Sequence, residues 1–451
     1  MATATEPVTS REVLTGFGGV RRRETSVLRS ASPGRLRELI AARPAGGLVA
    51  RGAGLSYGDA AQNSTGVVVS TAAGAAIRLD RMAQTVTAAA TTTFAEVLHR
   101  IVPAGFILPV LPESAHVTVG GAIAADVHGR NHAAAGSISA WVDQVELIDG
   151  TGSLRTLTTA ADPEGLRATL GGMGLTGIIL SATIRLLPVE SSMLRVVSDR
   201  TADLDATLSL LAGSATQYAV ARVDATAFGA ALGRGVVDCA DHAGLADLPA
   251  ADQRLAYRQR TPLQVPALPL PLLTPLSARA INTAHFRRAP VSRSGLADIP
   301  TFFHRLDVVQ GWNWAAGRAG LIRYQLAVPA GAETVLAAVL ENLRRNNCAP
   351  VLGTLMRLGP ADGGPLSFAV PGWCLAVDIP AGQHRLGQLL TWLDMQVAGA
   401  GGRVGLAEDT RLGEYAFNAM YGPVSDWRDA RSRLDPHGLF QSDLGRRVGL
   451  C

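Results

Sequence analysis

The hydrophobic pattern changes period several times along the chain, and each change marks an element. Residues 1–40 run into an amphipathic stretch, SPGRLRELIAARP, which predicts a helix. A short apolar strand then leads into GGLVARGAGLSYGDAAQN (46–63). GVVVST (66–71) and TVTAAATTTF (85–94) alternate or are β-rich and predict strands, and FAEVLHRIVPAG predicts a helix closed by Gly105. WVDQVELID and GSLRTLT predict strands on either side of the turn Gly150–Gly152, and GGMGLTGIILSATIRLLPV (171–189) predicts a Gly-rich turn feeding an apolar strand. Up to about residue 190 the pattern is that of an α+β domain with several Gly-rich turns.

After Val189, strand and helix patterns alternate as far as LQVPALPLPLLTPL (263–276). With Pro262 this segment holds five prolines, which exclude a helix or a central strand and predict an apolar loop. The loop is either a shield or mobile lid, or a flap that covers a site or touches lipid. From residue 320, GLIRYQLAVP, PVLGTLMRLG and GWCLAVDIP predict three strands of one sheet. ETVLAAVLENLRRNN and GQLLTWLDMQVAGAG predict helices between and after them. The tail, WRDARSRLDPHGLFQSDLGRRVG, predicts a helix, a turn at Asp435-Pro436 and an end that docks onto another domain.

Composition narrows the class. A chain of 451 residues is too long for one ordinary core, so about two or three domains are expected. A hydrophobic share of 47% with 17% charged residues excludes a wholly disordered chain. No apolar run reaches the roughly 18 residues that span a bilayer. The first residues, MATATEPVTSREV, lack the pattern of a signal peptide, and a cytoplasmic protein is expected. The chain contains no Lys, so all 41 basic residues are Arg. Codon usage in a GC-rich genome accounts for that bias, but one consequence holds regardless: Schiff-base and P-loop lysines are excluded, and any fixed positive charge is a guanidinium that does not shuttle protons. The charges are dispersed and aromatics make up 5%, which speaks against nucleic acid as a partner. Cys239, Cys348, Cys374 and Cys451 show no C-x-x-C spacing and the nine histidines no H-E-x-x-H, so reduced thiols and no metal are expected.

Three Gly-rich segments carry the candidate chemistry. Gly52-Ala53-Gly54 follows a strand, where backbone N–H groups can cradle a phosphate. The Rossmann spacing is absent: Gly58 follows rather than a Gly at 57, the continuation is a loop, and no acid stands about 20 residues on after a strand. The second segment, Thr118 to Ala125, has no side chain larger than Ile and lets a large flat ligand lie against the backbone of a loop. It ends in Asp126-Val127-His128-Gly129-Arg130-Asn131-His132, a concentration of polar side chains where the small ones stop. The third, Gly171 to Gly177, is expected to close around the same ligand.

RGAGLSYGDAAQN, VTVGGAIAADVHGRNH and GGMGLTGII resemble the three FAD-contacting segments of the vanillyl-alcohol-oxidase (PCMH-type) flavoproteins. The likeness continues in GWNW (311–314), RYQLAVP, PLSFAVPGW (365–373), AEDTR (407–411) and LDPHGLFQSD (434–443). The resemblance implies an α+β chain. Its PCMH-type FAD-binding domain would take residues 1–190 with a C-terminal return, 405–451. Its substrate domain, 191–404, would have an antiparallel sheet with flanking helices and include the Pro/Leu-rich loop 262–276. It further implies FAD contacts at Ala50, Arg51, Gly52, Ala53, Gly54, Leu55, Ser56, Tyr57, Gly58 and Asp59. Further contacts are implied at Thr118, Val119, Gly120, Gly121, Ala125, Asp126, Val127, His128 and Ile179. Many members tether FAD to a His where Tyr57 stands, so non-covalent FAD is implied.

The chain departs from the sugar-oxidising branch of that family, whose substrate carries a prenyl phosphate. Glu408, Arg130 and Met356 stand where that branch has Lys, Arg222 where it has a pocket Trp, and Arg323 where it has Gln, while Gln325 is kept. A loop Gly becomes Glu113, and a reactive Cys becomes Ala376, with Cys374 two residues away. An apolar rim has become rich in Arg and Glu.

Flavin-dependent alcohol oxidation needs an aimed hydride and a base for the hydroxyl proton. The proton acceptors in matched positions are His128, His132 and Glu408. Glu408 is expected to pair with Arg323 and bind substrate hydroxyls, with a role as base the alternative if desolvation raises its pKa. Arg222 and Arg323 suit a phosphate or carboxylate on the substrate or neutralise the Glu, and Arg130, Gln325, Tyr57, Thr354 and Cys374 complete the expected substrate contacts. The expected function is FAD-dependent oxidation of a secondary alcohol on a small polar sugar, ribosyl or nucleoside-like substrate. The alternatives are an alditol or sugar-acid oxidase handing electrons to O2, and a non-catalytic flavin-binding subunit working with a reductase partner. The electron acceptor, O2 or another, and membrane contact by the Pro/Leu-rich loop stay open.

Overall fold

Val67–Ser70, an apolar β-branched run, is the centre of a four-stranded sheet: it lies parallel to both Arg22–Leu28 and Leu48–Arg51, and Ser10–Thr15 adds an antiparallel edge. The computed structural model describes residues 9–29, 32–70, 76–249, 255–259, 262–265, 271–348, 350–360 and 363–451. The helix Pro33–Ala42 starts on a proline, which costs no bond in a first turn. It buries Leu36, Leu39 and Ile40 against Leu48, Val67 and Val69 of this sheet.

A second, antiparallel sheet has the order Ile77–Asp80, Thr85–Ala89, Ile178–Arg185, Val142–Ile148, Leu154–Thr158. The helix Phe94–Ile101 packs on it, begun by a capping box between Thr93 and Glu96. So does Val119–Ala124. The Thr118–Ala125 run, expected as a loop, is therefore a short helix. Thr118 Oγ1 accepts the N–H of Gly121 at 3.2 Å and caps it, so small residues serve close packing without forbidding the helical turn.

The third sheet has eight antiparallel strands: Ser292–Asp298, Met193–Thr201, Gly235–His242, Tyr218–Val223, Val351–Leu358, Gly372–Pro380, Leu321–Pro329 and Arg403–Val404. Alternation gives it two faces. Tyr324, Leu326, Val328, Leu355, Leu375 and Val377 are buried against the helices Leu204–Gly213, Glu333–Arg345 and Leu386–Gly399. The opposite face carries Arg222, Thr354, Ala376 and Gln325 in register across four neighbouring strands.

Two expectations are corrected. Ser10–Thr15 and Arg22–Leu28 are strands within a stretch read only as leading to a helix; their polar outer positions give no apolar alternation to read. The segment 262–276 is not a loop throughout. Leu263–Gln264 pairs in parallel with Val309–Gln310, and Pro275 opens the helix Pro275–Arg288 under a Thr274 cap. Residues 266–270 lie outside the described ones. Leu272 and Leu273 donate their N–H groups to the Ala315 carbonyl, which lays this end of the segment on the 312–319 turns. Among the described residues no helix is long and apolar enough to cross a membrane.

The C-terminal residues return to the first sheet: Leu48 donates to Leu439 O and accepts from Gln441 N–H, each at 2.9 Å. Arg447 then bridges Asp59 (2.5 Å) and Asp409 (2.6 Å), both carboxylates being almost wholly buried. Removing the cation leaves Asp409 without an ion-pair partner among the described residues and Asp59 with only the longer contact to Arg21 (3.7 Å). Arg447→Met is expected to destabilise the protein by about 3–5 kcal/mol, read as a lowered denaturant midpoint against wild type.

Candidate active site

A cavity of about 660 Å³ lies between the two smaller sheets and the polar face of the large one. Ala50 to Tyr57 line one wall. The N–H groups of Ala53 to Tyr57 find no acceptor among the described residues, so this wall presents unpaired donors of the kind that hold a phosphate. Gly54 adopts φ +71°, and a Cβ there would strike the Arg51 guanidinium. That guanidinium is itself held by the carbonyls of Thr15 (2.7 Å) and Ala61 (3.3 Å).

The capped helix forms the next wall. A Cβ on Gly120 would stand 2.8 Å from that of Ala90, so the backbone must pass there bare. Gly121 meets only Thr118 Oγ1, at 3.0 Å, and otherwise faces the cavity. Thr118, Ala125, Asp126, Val127, His128 and Ile179 also line it, as do Met173, Gly174 and Gly177 of the third segment. Asp126, left-handed at φ 47°, anchors the turn: its carboxylate accepts from Ser139 N–H (3.2 Å), the Ser139 hydroxyl and Ser367 Oγ (2.6 Å).

This turn presents His128. Gln325 Nε2 donates to His128 Nε2 at 2.7 Å, and the ring stacks on Phe368 at 5.7 Å. Burial holds the imidazole below its usual range, and the lone pair on its Nε2 is already engaged by the Gln325 amide. His132 is corrected: it does not line the cavity. Its Nδ1 accepts Gly359 N–H at 3.1 Å, and burial pushes it down to about 3.

The charged wall comes from the large sheet and the loop at 113. Arg323 makes a bidentate pair with Asp378 (2.9 and 2.8 Å), bonds Glu113 through Nη1 (2.8 Å) and lies over the Tyr57 ring at 4.6 Å. Desolvation opposes ionisation of Glu113, but Arg323 and Arg130 outweigh it and hold the carboxyl below the usual range. Arg130 lines the cavity, bonds Phe302 O and lies 4.9 Å over its ring.

The expected Glu408–Arg323 pair does not form, because Asp378 and Glu113 already occupy the guanidinium. Apart from its own N–H, the Glu408 carboxyl has no hydrogen-bond or ion-pair partner among the described residues. Burial pushes it up to about 7, with Arg323 the main opposing influence. It sits over Gly405: a Cβ added there would meet Glu408 Oε2 at 3.2 Å, Phe368 at 3.6 Å and Gln325 Oε1 at 3.7 Å. Glu408 thus stands beside the group that holds His128.

Thr354 and Gln325 line the cavity as expected substrate contacts would, but two other residues do not. Arg222 is turned to Asp238 (2.9 Å) and His285 (2.9 Å), and Arg305 shares the same Asp238 (3.3 Å). Cys374 is fully buried behind Gln325 in an apolar cluster with Met356 and Ala327, its thiol pushed up to about 12. Three expected cofactor contacts lie behind the wall instead: Val119 is core, Gly58 packs on the Asp409 carbonyl, and Asp59 faces Arg447. Asp378 is a site residue that the motifs do not single out; its signal is an acid inside the otherwise apolar GWCLAVDIP. Among the described residues no cluster is disposed to hold a metal.

Comparison with known proteins gives the cavity a context. Residues 29–158 match an FAD binding domain family. The chain is 35% identical over its full length to the whole of decaprenylphosphoryl-β-D-ribose oxidase from Mycolicibacterium smegmatis. Over 78% of its length it is 40% identical to the whole of a Streptomyces coelicolor protein described only by its place in the mprA 5′ region. A shorter match, 36% over 20% of this chain and 17% of the other, is to D-arabinono-1,4-lactone oxidase of Eremothecium gossypii. The unpaired donors and bare helix fit a dinucleotide cofactor lying against them. Gly121→Val is expected to fold and yet to carry little FAD, since the added methyls enter the cavity. The ratio of visible flavin absorbance to protein in the purified variant checks this; full loading would make the helix merely structural.

Proposed function

The chain belongs to the family of decaprenylphosphoryl-β-D-ribose oxidase, FAD-dependent oxidoreductases acting on CH–OH groups, and on that premise we propose that it oxidises a secondary hydroxyl of a small, water-soluble, sugar-like substrate. The observation that carries this reading is the Glu113–Arg323–Asp378 wall with Arg130 beside it. Such groups are costly to desolvate against a hydrocarbon chain and favourable against hydroxyls.

Bound FAD supplies the two-electron oxidant. In this reading the N–H groups of Ala53 to Tyr57 would hold its phosphates, and the helix from Val119 would pack against the rest of it. Residues 1–190 with 405–451 form the cofactor-binding part and 191–404 the substrate part. The FAD is non-covalent, for Tyr57 takes the tethering position and its ring is engaged by Arg323 and Phe17. Glu113, ionised, accepts hydrogen bonds from substrate hydroxyls. Arg323 acts through it as a positioning residue, and Gln325 fixes the His128 ring. Four free cysteines suit a cytoplasmic location. The electron acceptor is O2 or another small oxidant; a passive flavin subunit serving a reductase has no use for a carboxylate-lined wall.

Two measurements test this. Acid denaturation is expected to release all of the yellow colour into the supernatant; colour left on the precipitate means a covalent flavin. In an anaerobic screen of sugars, sugar acids, ribosyl phosphates, nucleosides and prenylphosphoryl ribose, a soluble polyhydroxy compound is expected to bleach the flavin fastest. Fast bleaching by prenylphosphoryl ribose alone would overturn the polar assignment.

A further inference from the structure

We propose that Glu408 is the catalytic base that takes the substrate's hydroxyl proton, while Glu113 remains an ionised binding group. This rests on the reading of the cavity as an alcohol-oxidising site.

Elimination among the groups that line the cavity supports it: Asp307 accepts the Ala115 N–H (2.8 Å), Asp126 accepts from Ser139 and Ser367, and His116 meets the Gln259 amide (3.3 Å). Of the three candidate acceptors, His128 already receives the Gln325 N–H on its Nε2, and His132 receives Gly359 N–H outside the cavity. Glu113 is tied to Arg323 Nη1, and the other two nitrogens of that guanidinium bond Asp378. Glu408 alone of these lines the cavity with its carboxyl uncommitted. The titratable groups whose charges act between it and its surroundings are Arg323, Glu113, Asp378, Tyr57, Cys374 and Tyr421. Arg323 is the cation among them and is shared by two carboxylates, which leaves Glu408 under-compensated. Two carboxyls of one cavity are thereby driven apart: Glu113 below its ordinary range, Glu408 up to about 7 from 4.5. Such a split assigns one to binding and the other to proton transfer.

The step balances as follows. The alcohol carbon loses its hydrogen with both C–H electrons to the oxidised flavin, the O–H proton passes to a Glu408 carboxylate oxygen, and C–O becomes C=O. The proton leaves Glu408 for solvent after product departs; the two electrons would leave by way of the bound FAD to O2 or another acceptor.

The test uses the FAD-loaded enzyme and a bleaching substrate. In wild type, flavin reduction at saturating substrate is expected to rise with pH through about 7 and then level off. Glu408→Gln is expected to keep its flavin and the substrate-induced change in flavin spectrum, but to reduce at least about 100-fold more slowly and without that inflection. Glu408→Asp is expected to fall between them and to retain an inflection. Reduction of Glu408→Gln at nearly the wild-type rate, or loss of the inflection in Glu408→Asp, would overturn the assignment. If no CH–OH compound reduces even the wild type, the functional reading fails instead.

A readout independent of turnover is stability. The folded-state pKa lies above the ordinary one, so between the two values the native protein holds the extra proton, and wild type loses stability as pH rises. The melting temperature of Glu408→Gln relative to wild type is therefore expected to climb from about pH 5 to about pH 8. A constant difference would show that Glu408 is not the desolvated acid that the proposal needs.

Discussion

Arg447 joins two stretches that lie 350 positions apart, and both walls of the cavity depend on that junction. Asp59 lies just beyond the Gly-rich stretch that lines one wall, and Asp409 follows Glu408. Fixing both carboxylates to one guanidinium ties the chain that follows the unpaired N–H groups to the chain that carries Glu408. Asp409 also accepts the N–H groups of Arg411 and Leu412, and Gly58 closes on its carbonyl, so the backbone beside Glu408 has little freedom. Burying such a pair wins little net stability over an apolar one. What it secures here is a register between chain segments that hydrophobic contact alone leaves free to slide.

Arg323 performs the same service inside the cavity. Two carboxylates and an aromatic face hold it before any substrate arrives, so it is not a free anion trap. Its effect is indirect: it keeps Glu113 ionised, and by being spent on Asp378 and Glu113 it withholds compensation from Glu408. The second arginine group, Arg222 and Arg305 around Asp238, is turned away from the cavity in the same manner. Positive charges counted along the sequence therefore overstate what a substrate meets.

Much of the fold was legible because its strands alternate cleanly. GLIRYQLAVP shows Arg323 and Gln325 on one face and Tyr324 and Leu326 on the other, and the large sheet sorts them so. The N-terminal strands were not legible, since Arg22, Arg23 and Glu24 stand outward and mask the buried alternation of Thr25 and Val27. Small residues at 118–125 marked a close approach correctly but not its helical form, which a single threonine cap decides. The site residues were largely visible, but their partners were not. Pairing Arg323 with Glu408 followed from charge alone, whereas the cross-strand register places Asp378 directly opposite Arg323, and register is set by the sheet. Cys374 was drawn toward the cavity by its nearness to Ala376; it shares that face but is covered by Gln325.

The absence of lysine ties these points together. A lysine facing a flavin offers both charge and an exchangeable proton, because its pKa falls readily on burial. Arginine offers only the charge. In a chain whose every cation is arginine, the two functions must separate: fixed charge goes to guanidiniums, and proton exchange to a carboxyl or an imidazole. The cavity makes that separation in space. Arg323 and Arg130 hold one carboxyl ionised, the Gln325 amide occupies the imidazole, and the Glu408 carboxyl is left without a partner. A carboxyl in that state is able to move a proton near neutrality, and the arginines bring it about by what they bind elsewhere.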